Sequence, residues 1–365
     1  MLGNGDALVE PQPDGVRVLC GLNTGFAAVC NWVWEESLES KRARLWALLC
    51  LGAVTLIVLL GGARMTLFPP SSQTQRVASL SRIKVPNELS DVVWKNMMNN
   101  RLSPDEVRQI RDWGKAVDDN LLARSEREAQ AGSKIVFWGE ANAPVLKEDE
   151  AAFIAQGCEL AVKHQIYLGM SLAVWNAGQS RPLENKLVLI DPAGQVAWEY
   201  YKARPVPGSE AAVSVTQDGK LRVLETPYGR LSSIICFDGD FPQLLSQAGM
   251  LGADVVLDPS NDWRAIDPWH TQMASFRAIE QGFNLIRHTS HGLSAAFDYQ
   301  GRRLAAMDHF GTPDYVMISE IPSKGVRTLY GKLGDWLAWA CLVGFLLLVG
   351  QAVRGRQSTD VDNRK

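Results

Sequence analysis

Three strand-like apolar runs of the chain each stop on a side chain that can carry out chemistry. Glu140 closes KIVFWGE, Lys202 lies in YYKARPVPGSE, and Cys236 lies in LSSIICFDGDFP. Each follows an apolar run of the kind that forms a buried strand. A carboxylate, an ammonium and a thiol at one point make an activated thiol nucleophile with a base and a charge stabiliser. We therefore predict that these three side chains share one site.

The context of Cys236 is the one most indicative of reactivity. The thiol follows the strand-like LSSII and precedes a helix start near Asp240, so backbone N–H groups and the positive helix end lie close to it. Each residue also has an ordinary interpretation when taken singly. Cys236 can be a buried structural cysteine, Glu140 a solvated strand end and Lys202 a surface lysine.

The elements that must position these residues alternate between strands and helices. Ser103, Pro104 and Glu106 form a capped helix start, and apolar residues then recur at helical spacing to about Gln130. Mixed hairpins and crossovers indicate an α/β sandwich rather than a single dinucleotide-binding sheet. Strands and hairpins are predicted at 76–81, 134–140, 166–175, 186–202, 221–237, 254–258, 284–290, 293–307 and 315–321. Further helices are predicted at 148–164, 241–252 and 269–283.

The composition and the motifs argue against several classes of protein. A formal net charge of -3 gives no basic field for nucleic acid. The sequence contains no GxGxxG motif and no P-loop, so a nucleotide cofactor is not expected. His288 and His291 are the closest histidine pair, without a further Cys or His nearby to complete a metal site. We expect neither a metal nor a cofactor.

The two ends of the chain resemble membrane segments. Residues 45–63 and 336–353 are uncharged apolar runs close to the length that spans a bilayer. Basic residues flank both runs on their outer sides, which predicts cytoplasmic flanks and a central region on the other side of the membrane. The predicted organisation is an N-terminal segment 1–44 with a weaker membrane candidate at 18–34, a transmembrane helix 45–63, a linker 64–75, a catalytic domain 76–322, a transmembrane helix 336–353 and a cytoplasmic tail 354–365.

The order, spacing and flanking residues of the three groups resemble the nitrilase, or carbon–nitrogen hydrolase, superfamily over residues 75–322. Within it, the Lys202 to Glu210 spacing is similar to that of the apolipoprotein N-acyltransferase branch, as are SNDW and the stretch from RHTSHG to DYQGR. The resemblance is carried by FWGEA, YYKARPVPGSE, CFDGDFP, SNDW (260–263), HTQMASFRAIEQG (270–282) and LIRHTSHGLSAAFDYQGR (285–302).

The resemblance implies a nitrilase-like four-layer αββα sandwich, flanked here by transmembrane helices. It implies catalytic roles for Glu140, Lys202 and Cys236, with Glu210 and Asp238 in support. It further implies a cysteine thioester, a phospholipid acyl donor and the N-terminal amine of a lipoprotein as acceptor. The protein is then expected in the inner membrane, with its catalytic domain facing the periplasm or the cell exterior. The chain departs from the branch in having one clear span before the domain instead of several, and Cys-Phe-Asp instead of Cys-Tyr-Glu.

Two other functions remain open on the sequence. A membrane-anchored amidase would use the same three residues, with water replacing the amine and a small amide replacing the lipid. Apolar surface near the site distinguishes these two enzymes, and Ala211, Ala212 and Val213 are candidates for it. A catalytically silent scaffold is the third interpretation, against which an intact Glu, Lys and Cys set argues. The sequence does not indicate the acyl chain, the acceptor or the oligomeric state.

Overall fold

The chain divides into two compact units, residues 1–69 and 70–365. In the first unit, Lys41–Leu67 form helix α1, whose apolar side chains, such as Leu59 and Leu60, are exposed. The computed structural model describes residues 41–67, 69–70, 73–336, 338–344 and 346.

The predicted membrane segments coincide with helical structure in part. Residues 45–63 lie within α1, and residues 338–344 are helical. Across the residues that the structure describes, no helix combines the length and the apolar character needed to cross a bilayer. The weaker candidate 18–34 and the tail 354–365 lie outside the described residues.

Helices in the second unit begin and end where the sequence provides caps. At the start of α3, the Ser103 hydroxyl accepts from the backbone N–H of Glu106, whose carboxylate accepts from the N–H of Ser103. This is the predicted capping box. The helix α6 ends on Gly252, which adopts the left-handed conformation that glycine tolerates. The helices are α2 (Asp91–Met98), α3 (Pro104–Gln130), α4 (Glu150–His164), α5 (Ser209–Val213), α6 (Pro242–Leu251), α7 (Trp269–Gln281) and α8 (Leu329–Leu333), with a 3₁₀ helix at Cys236–Asp240.

Two mixed sheets share one plan, in which three parallel strands are flanked by antiparallel ones. The first sheet has the order β13-β1-β2-β4-β5-β6, with β3 also paired to β4, and the second has the order β12-β11-β10-β9-β8-β7. The strands are β1 (Thr74–Leu80), β2 (Ile135–Trp138), β3 (Ala143–Leu146), β4 (Tyr167–Trp175), β5 (Leu183–Ile190), β6 (Val196–Tyr201), β7 (Leu224–Thr226), β8 (Gly229–Ser233), β9 (Val255–Asn261), β10 (Asn284–Ser290), β11 (Leu293–Phe297), β12 (Arg303–Asp308) and β13 (Val316–Pro322).

Strand directions determine which residues can meet. In the first sheet β1, β2 and β4 are parallel, and in the second β8, β9 and β10 are parallel. The strand β6 is antiparallel to β5, which is antiparallel to β4, so β6 runs in the direction of β4. The N–H of Glu140, just past β2, donates to the carbonyl of Ser260 in β9 at 3.3 Å. The carboxyl ends of β2, β6 and the second sheet's parallel strands therefore lie at a common edge.

Side-chain alternation along the strands creates two cores. In β2, Ile135 and Phe137 face the apolar core shared with the second sheet, while Val136 and Trp138 face the core shared with α3 and α4. This is the period of two expected for a strand buried on both faces. The helices α6 and α7 cover the second sheet. The layers are therefore helices, sheet, sheet and helices, and the α/β fold predicted from the sequence is confirmed.

Several short elements were absent from the sequence prediction, among them α2, α5, α8 and β3. Helix α2 has only eight residues and is preceded by Ser90, whose side chain accepts a hydrogen bond from the N–H of Val93. Strand β3 contains Pro144, which has no N–H to donate, and it pairs with β4 alone. Such a proline is compatible with an edge strand and hides it from pattern-based prediction.

Candidate active site

Glu140, Lys202 and Cys236 meet at the common edge of the two sheets. Glu140 follows β2, Lys202 follows β6, and Cys236 begins the 3₁₀ helix after β8. All three are buried, with exposed fractions of 5%, 2% and 3%. The structure therefore brings together the three residues singled out in the sequence, although they lie far apart along the chain.

A network of charges and hydrogen bonds surrounds the Lys202 ammonium. Its Nζ donates to Oε1 of Glu140 at 2.7 Å and to both carboxylate oxygens of Glu210 at 3.0 and 2.9 Å. The amide of Asn185, in β5, donates to Oε1 of Glu140 at 2.7 Å and to Oε1 of Glu210 at 3.1 Å. The backbone N–H of Val206 also donates to Glu210. The network holds two carboxylates around one cation and fixes the orientation of all three side chains.

The backbone at Cys236 forms a sharp turn out of the strand. Its φ is 51°, in the left-handed region that side chains other than glycine rarely adopt. Its N–H donates to Oδ1 of Asp258 at 2.9 Å, and its sulfur lies 3.9 Å from the carbonyl oxygen of Asn261. Such local strain is typical of functional turns, where the surrounding structure holds the reactive atom in place.

Electrostatics keep the resting thiol neutral and the lysine charged. Burial and the negative charge of Glu140 raise the pKa of Cys236 well above its ordinary value, while Lys202 and Arg287 lower it. Burial lowers the pKa of Lys202, but Glu140, Cys236 and Glu210 together raise it above that of a free lysine. A base is therefore required to take the thiol proton, and a permanent cation is at hand to stabilise negative charge.

Asp238 connects the cysteine turn to the end of β6. Its Oδ2 accepts from the Tyr200 hydroxyl at 2.8 Å and from the N–H of Ile235 at 3.2 Å, and its Oδ1 accepts from the N–H of Arg204 at 2.8 Å. Burial raises the pKa of Asp238 to about 6 against the lowering effect of these bonds. The carboxylate thus links the turn that carries the thiol to the end of β6, just before and after Lys202.

A second charged network lies behind the thiol and was not anticipated from the sequence. The Arg287 guanidinium donates to both oxygens of Asp262 at 2.8 and 2.9 Å. His270 contacts Oδ1 of Asp262 through Nδ1 at 2.7 Å and Oδ1 of Asp240 through Nε2 at 3.0 Å. Burial lowers the pKa of His270, but the hydrogen bonds to both carboxylates outweigh it and raise that pKa to about 9. His270 is therefore an imidazolium at neutral pH.

Several of these partners carried no signal that sequence reasoning could use. Asn185 lies inside a strand, where an amide has many ordinary roles, and its two carboxylate partners come from distant segments. Arg287 is fully buried in β10, in a stretch that reads as a plain strand. SNDW, the helix beginning near His270 and the stretch 285–302, which contains Arg287, carry the family resemblance but gave no role for these residues.

Among the described residues, one group has donor atoms close enough together to bind a metal ion. The sulfur of Cys236, an oxygen of Asp262 and a ring nitrogen of His270 lie within 4.8 Å of one another. Both ring nitrogens of His270 already contact carboxylates, and the Arg287 cation lies against Asp262. A second cation would be repelled here, so the group is better explained as a charge network.

The histidine pair noted in the sequence is divided between two environments. His288 is buried in β10, where its Nε2 lies 2.9 Å from the hydroxyl of Ser81, and burial lowers its pKa to about 3. His291 lies beyond the strand end, with Nδ1 2.9 Å from Oδ1 of Asn261. The two rings therefore have separate hydrogen-bond partners.

Two cavities flank the site. A cavity of about 240 Å³ reaches Glu140 from the side of α2 and α3, and Trp94, Trp113 and Met98 are in its lining. A cavity of about 320 Å³, here called the thiol cavity, reaches Cys236 from the side of α7. The lining of the thiol cavity is mainly apolar and includes Phe237, Trp263, Ile266, Trp269 and Met273. Ala211, Ala212 and Val213, the apolar candidates from the sequence, are not in this lining.

Fold and site together define an α/β protein with two face-to-face mixed sheets and a buried carboxylate, ammonium and thiol at their common edge. The model of the carbon–nitrogen hydrolase family matches residues 110–330, and the chain belongs to this family. The superfamily resemblance inferred from the sequence is thereby confirmed.

Curated relatives are apolipoprotein N-acyltransferases. The protein of that name from Geobacter metallireducens is 26% identical over 275 residues, which cover 68% of this chain and 52% of the relative. The one from Rhodopseudomonas palustris is 27% identical over 338 residues, covering 84% of this chain and 59% of the relative. The chain thus spans about half the length of the first of these relatives.

Among solved structures, an amidase from Nesterenkonia sp. matches with a TM-score of 0.52 at 18% sequence identity. The match covers 70% of this chain and 94% of the amidase. At this level of identity the likeness concerns the fold, which is that of the nitrilase superfamily.

Proposed function

We propose that this chain transfers an acyl chain from a phospholipid to the N-terminal amine of a lipoprotein, through a thioester on Cys236. The observation that carries the proposal is a thiol that shares one site with Glu140 and Lys202 and also opens into the apolar thiol cavity. The relatives named apolipoprotein N-acyltransferase support the same substrates.

The first half of the reaction forms the thioester. Glu140 takes the thiol proton, and Oε2 is available for it because Lys202 and Asn185 both donate to Oε1. The thiolate attacks the ester carbonyl carbon, and the Lys202 ammonium stabilises the oxyanion, with Glu210 holding it in position. The carbon–oxygen bond breaks, and Glu140 returns its proton to the lysophospholipid oxygen. Asp238 keeps the cysteine turn aligned with Lys202 and has no contact with the reacting atoms in this scheme.

The second half of the reaction passes the acyl group to the amine. The neutral amine attacks the thioester carbonyl carbon, and Lys202 again stabilises the oxyanion. The carbon–sulfur bond breaks, and the amine proton returns to the sulfur by way of Glu140. Because one base serves both halves, loss of Glu140 should slow both.

The apolar lining and the volume of the thiol cavity favour a lipid donor over a small polar amide. Trp263, Trp269 and Met273 remain 49%, 44% and 54% exposed at its mouth. A large exposed apolar surface at a cavity mouth is costly in water unless a ligand or membrane covers it. Its volume of about 320 Å³ is at the lower end of the range for ligand sites, so the cavity suits part of one acyl chain.

The membrane location forms part of this proposal and rests on the sequence. The uncharged runs 45–63 and 336–353 would anchor the domain, and the basic flanks would remain in the cytoplasm. The catalytic domain would then face the periplasm or the cell exterior, where its lipoprotein acceptor lies. Carbonate extraction of membranes tests the anchoring, and release of the full chain into the soluble fraction would contradict it.

An amidase is the second candidate function, because the Nesterenkonia amidase is covered over 94% of its length. In that case water attacks the thioester, and the acyl donor is an amide. The same three residues would act, and the apolar thiol cavity would have no lipid to bind. Release of free acid without transfer to an amine would favour this alternative.

One experiment distinguishes these functions. The purified full chain is incubated with phospholipid labelled in its acyl chain and with a diacylated lipopeptide, and products are separated by thin-layer chromatography. Transfer to the lipopeptide is expected, together with a labelled thioester that hydroxylamine releases. Cys236→Ala should abolish both products, and Cys158→Ala, a change at a partly buried cysteine in α4, should abolish neither. Full transfer by the Cys236→Ala variant would refute the scheme.

A further inference from the structure

One carboxylate in the thiol cavity has no part in the scheme above. Asp240 lies four residues after Cys236, at the end of the same 3₁₀ helix, and both residues line the thiol cavity. The other lining groups are aromatic or aliphatic, apart from His270. A carboxylate in such surroundings favours the binding of a cation, because an ammonium group pairs with the carboxylate and is also attracted to the faces of aromatic rings.

The Asp240 carboxylate is the outermost member of a buried row of alternating charges. Side-chain exposure along the row rises from 0% at Arg287 to 1% at Asp262, 9% at His270 and 27% at Asp240. Each member contacts the next at 3.0 Å or less. The positive groups inside are matched by carboxylates, and the row ends with a negative group facing the cavity.

His270 contacts only one of the two carboxylate oxygens of Asp240. Nε2 of His270 faces only a carboxylate oxygen, Oδ1 of Asp240, and therefore carries a proton. Nδ1 lies 2.7 Å from Oδ1 of Asp262 and 2.8 Å from Nη2 of Arg287. The ring therefore donates to Oδ1 of Asp240, which leaves Oδ2 for a ligand in the cavity. Because the ring is itself anchored on Asp262, it fixes the direction of that oxygen.

We propose that Asp240, oriented by His270, binds the ammonium group of the acyl acceptor and thereby selects an amine over water. The inference rests on the proposed acyltransferase function and identifies the residue that recognises the acceptor amine. Asp240 is a specificity-determining residue, and His270 is a positioning residue.

The chemistry of the second half of the reaction then balances at named groups. The acceptor arrives as R–NH₃⁺ and pairs with Asp240, beside the acyl-Cys236 carbonyl. One proton leaves through the Asp240 carboxylate to solvent, and the neutral amine attacks the carbonyl carbon. The carbon–sulfur bond breaks, a second proton reaches the sulfur through Glu140, and the third stays on the amide nitrogen.

The first test measures binding without turnover. Octylammonium and octanol, which differ in charge and share the same chain, are compared for protection of Cys236 against alkylation. Asp240→Asn should raise the half-protecting concentration of octylammonium roughly tenfold relative to that of octanol, the expected cost of losing one charge-assisted hydrogen bond. Asp218→Asn, at an exposed carboxylate outside the cavity, is the matched control and should change neither value. Equal shifts for both probes in Asp240→Asn would overturn the inference.

The second test measures selection during turnover. The acyl-enzyme is partitioned between glycinamide, which arrives largely as an ammonium, and hydroxylamine, which is a neutral nucleophile. The ratio of glycinamide to hydroxylamine product should fall roughly tenfold in Asp240→Asn and should recover in part in Asp240→Glu. An unchanged ratio would overturn the inference, while a chain that forms no acyl-enzyme but shows charge-selective protection would refute the proposed function alone.

Discussion

Replacing Glu140 by glutamine should make Cys236 more reactive toward an alkylating agent while acyl transfer is lost. Glutamine keeps the shape of the side chain and removes its charge. That negative charge is one cause of the raised pKa of Cys236, and the positive charge of Lys202 remains in the variant. The thiolate should therefore form at lower pH in Glu140→Gln than in the unmodified chain.

The size of this effect follows from the burial of the groups. A neighbouring charge at a desolvated site shifts a titration by about one to three pH units, or roughly 1.4 to 4 kcal/mol. We expect the midpoint of alkylation of Cys236 to fall by that amount. Loss of the base should reduce the rate of thioester formation by roughly 10² to 10⁴. The two readouts therefore move in opposite directions.

The assay follows iodoacetamide labelling against pH, with the peptide that carries Cys236 quantified by mass spectrometry. Cys158 is an internal reference, because burial and the charges of Asp191 and Glu159 raise its pKa without a contribution from Glu140. Its midpoint should stay constant. A midpoint for Cys236 that is unchanged or higher in Glu140→Gln would refute the electrostatic argument.

Three further changes test other parts of the site. Lys202→Met should raise the alkylation midpoint of the thiol and lower the free energy of unfolding by about 3 to 5 kcal/mol, because the buried Glu140 and the partly buried Glu210 lose their cation; urea melts showing no loss would contradict this. Asp238→Asn should lower the free energy of unfolding by about 2 to 3 kcal/mol, since backbone donors then face an NH₂ group, whereas Tyr200→Phe should lower it by roughly 1 kcal/mol. Equal losses of stability in thermal melts would count against the role of the carboxylate. The pKa of His270 rises from 6.5 to about 9 on folding, so its stabilisation is complete below pH 6.5 and is lost as the pH rises through 9. Between pH 6.5 and 9 the free energy of unfolding should therefore fall by about 3 kcal/mol in the unmodified chain and by much less in His270→Gln. If urea unfolding gives the same dependence of stability on pH for both proteins, the assignment is contradicted.

Much of the fold was predictable because its signals are local. Strand β10 occupies the predicted 284–290, and the capping box at Ser103 marks the start of α3 as expected. Apolar periodicity and cap chemistry are set by neighbours in sequence, so they are visible there. Strand β3 was missed because Pro144 suppresses the pattern and only pairing with β4 maintains the extended backbone.

The site was predictable in its chemistry and less so in its supporting residues. Glu140, Lys202 and Cys236 stand out because reactive side chains follow apolar strands at each position. Asn185 and Asp240 do not stand out, since an amide within a strand and an acid in a loop are ordinary features. Their importance comes from partners that are distant in sequence and 2.7 to 3.1 Å away in space.

The sequence by itself indicated the family and singled out Glu140, Lys202 and Cys236 as candidate reactive groups. Strand propensity and side-chain chemistry are properties of the individual residues, so they can be assigned without knowing the fold. Tertiary structure alone decided that β6 runs parallel to β4, which brings Lys202 to the edge where Glu140 lies. It also decided the state of each charge, because burial and the nearest charged neighbour, which together set a pKa, arise only when distant segments pack.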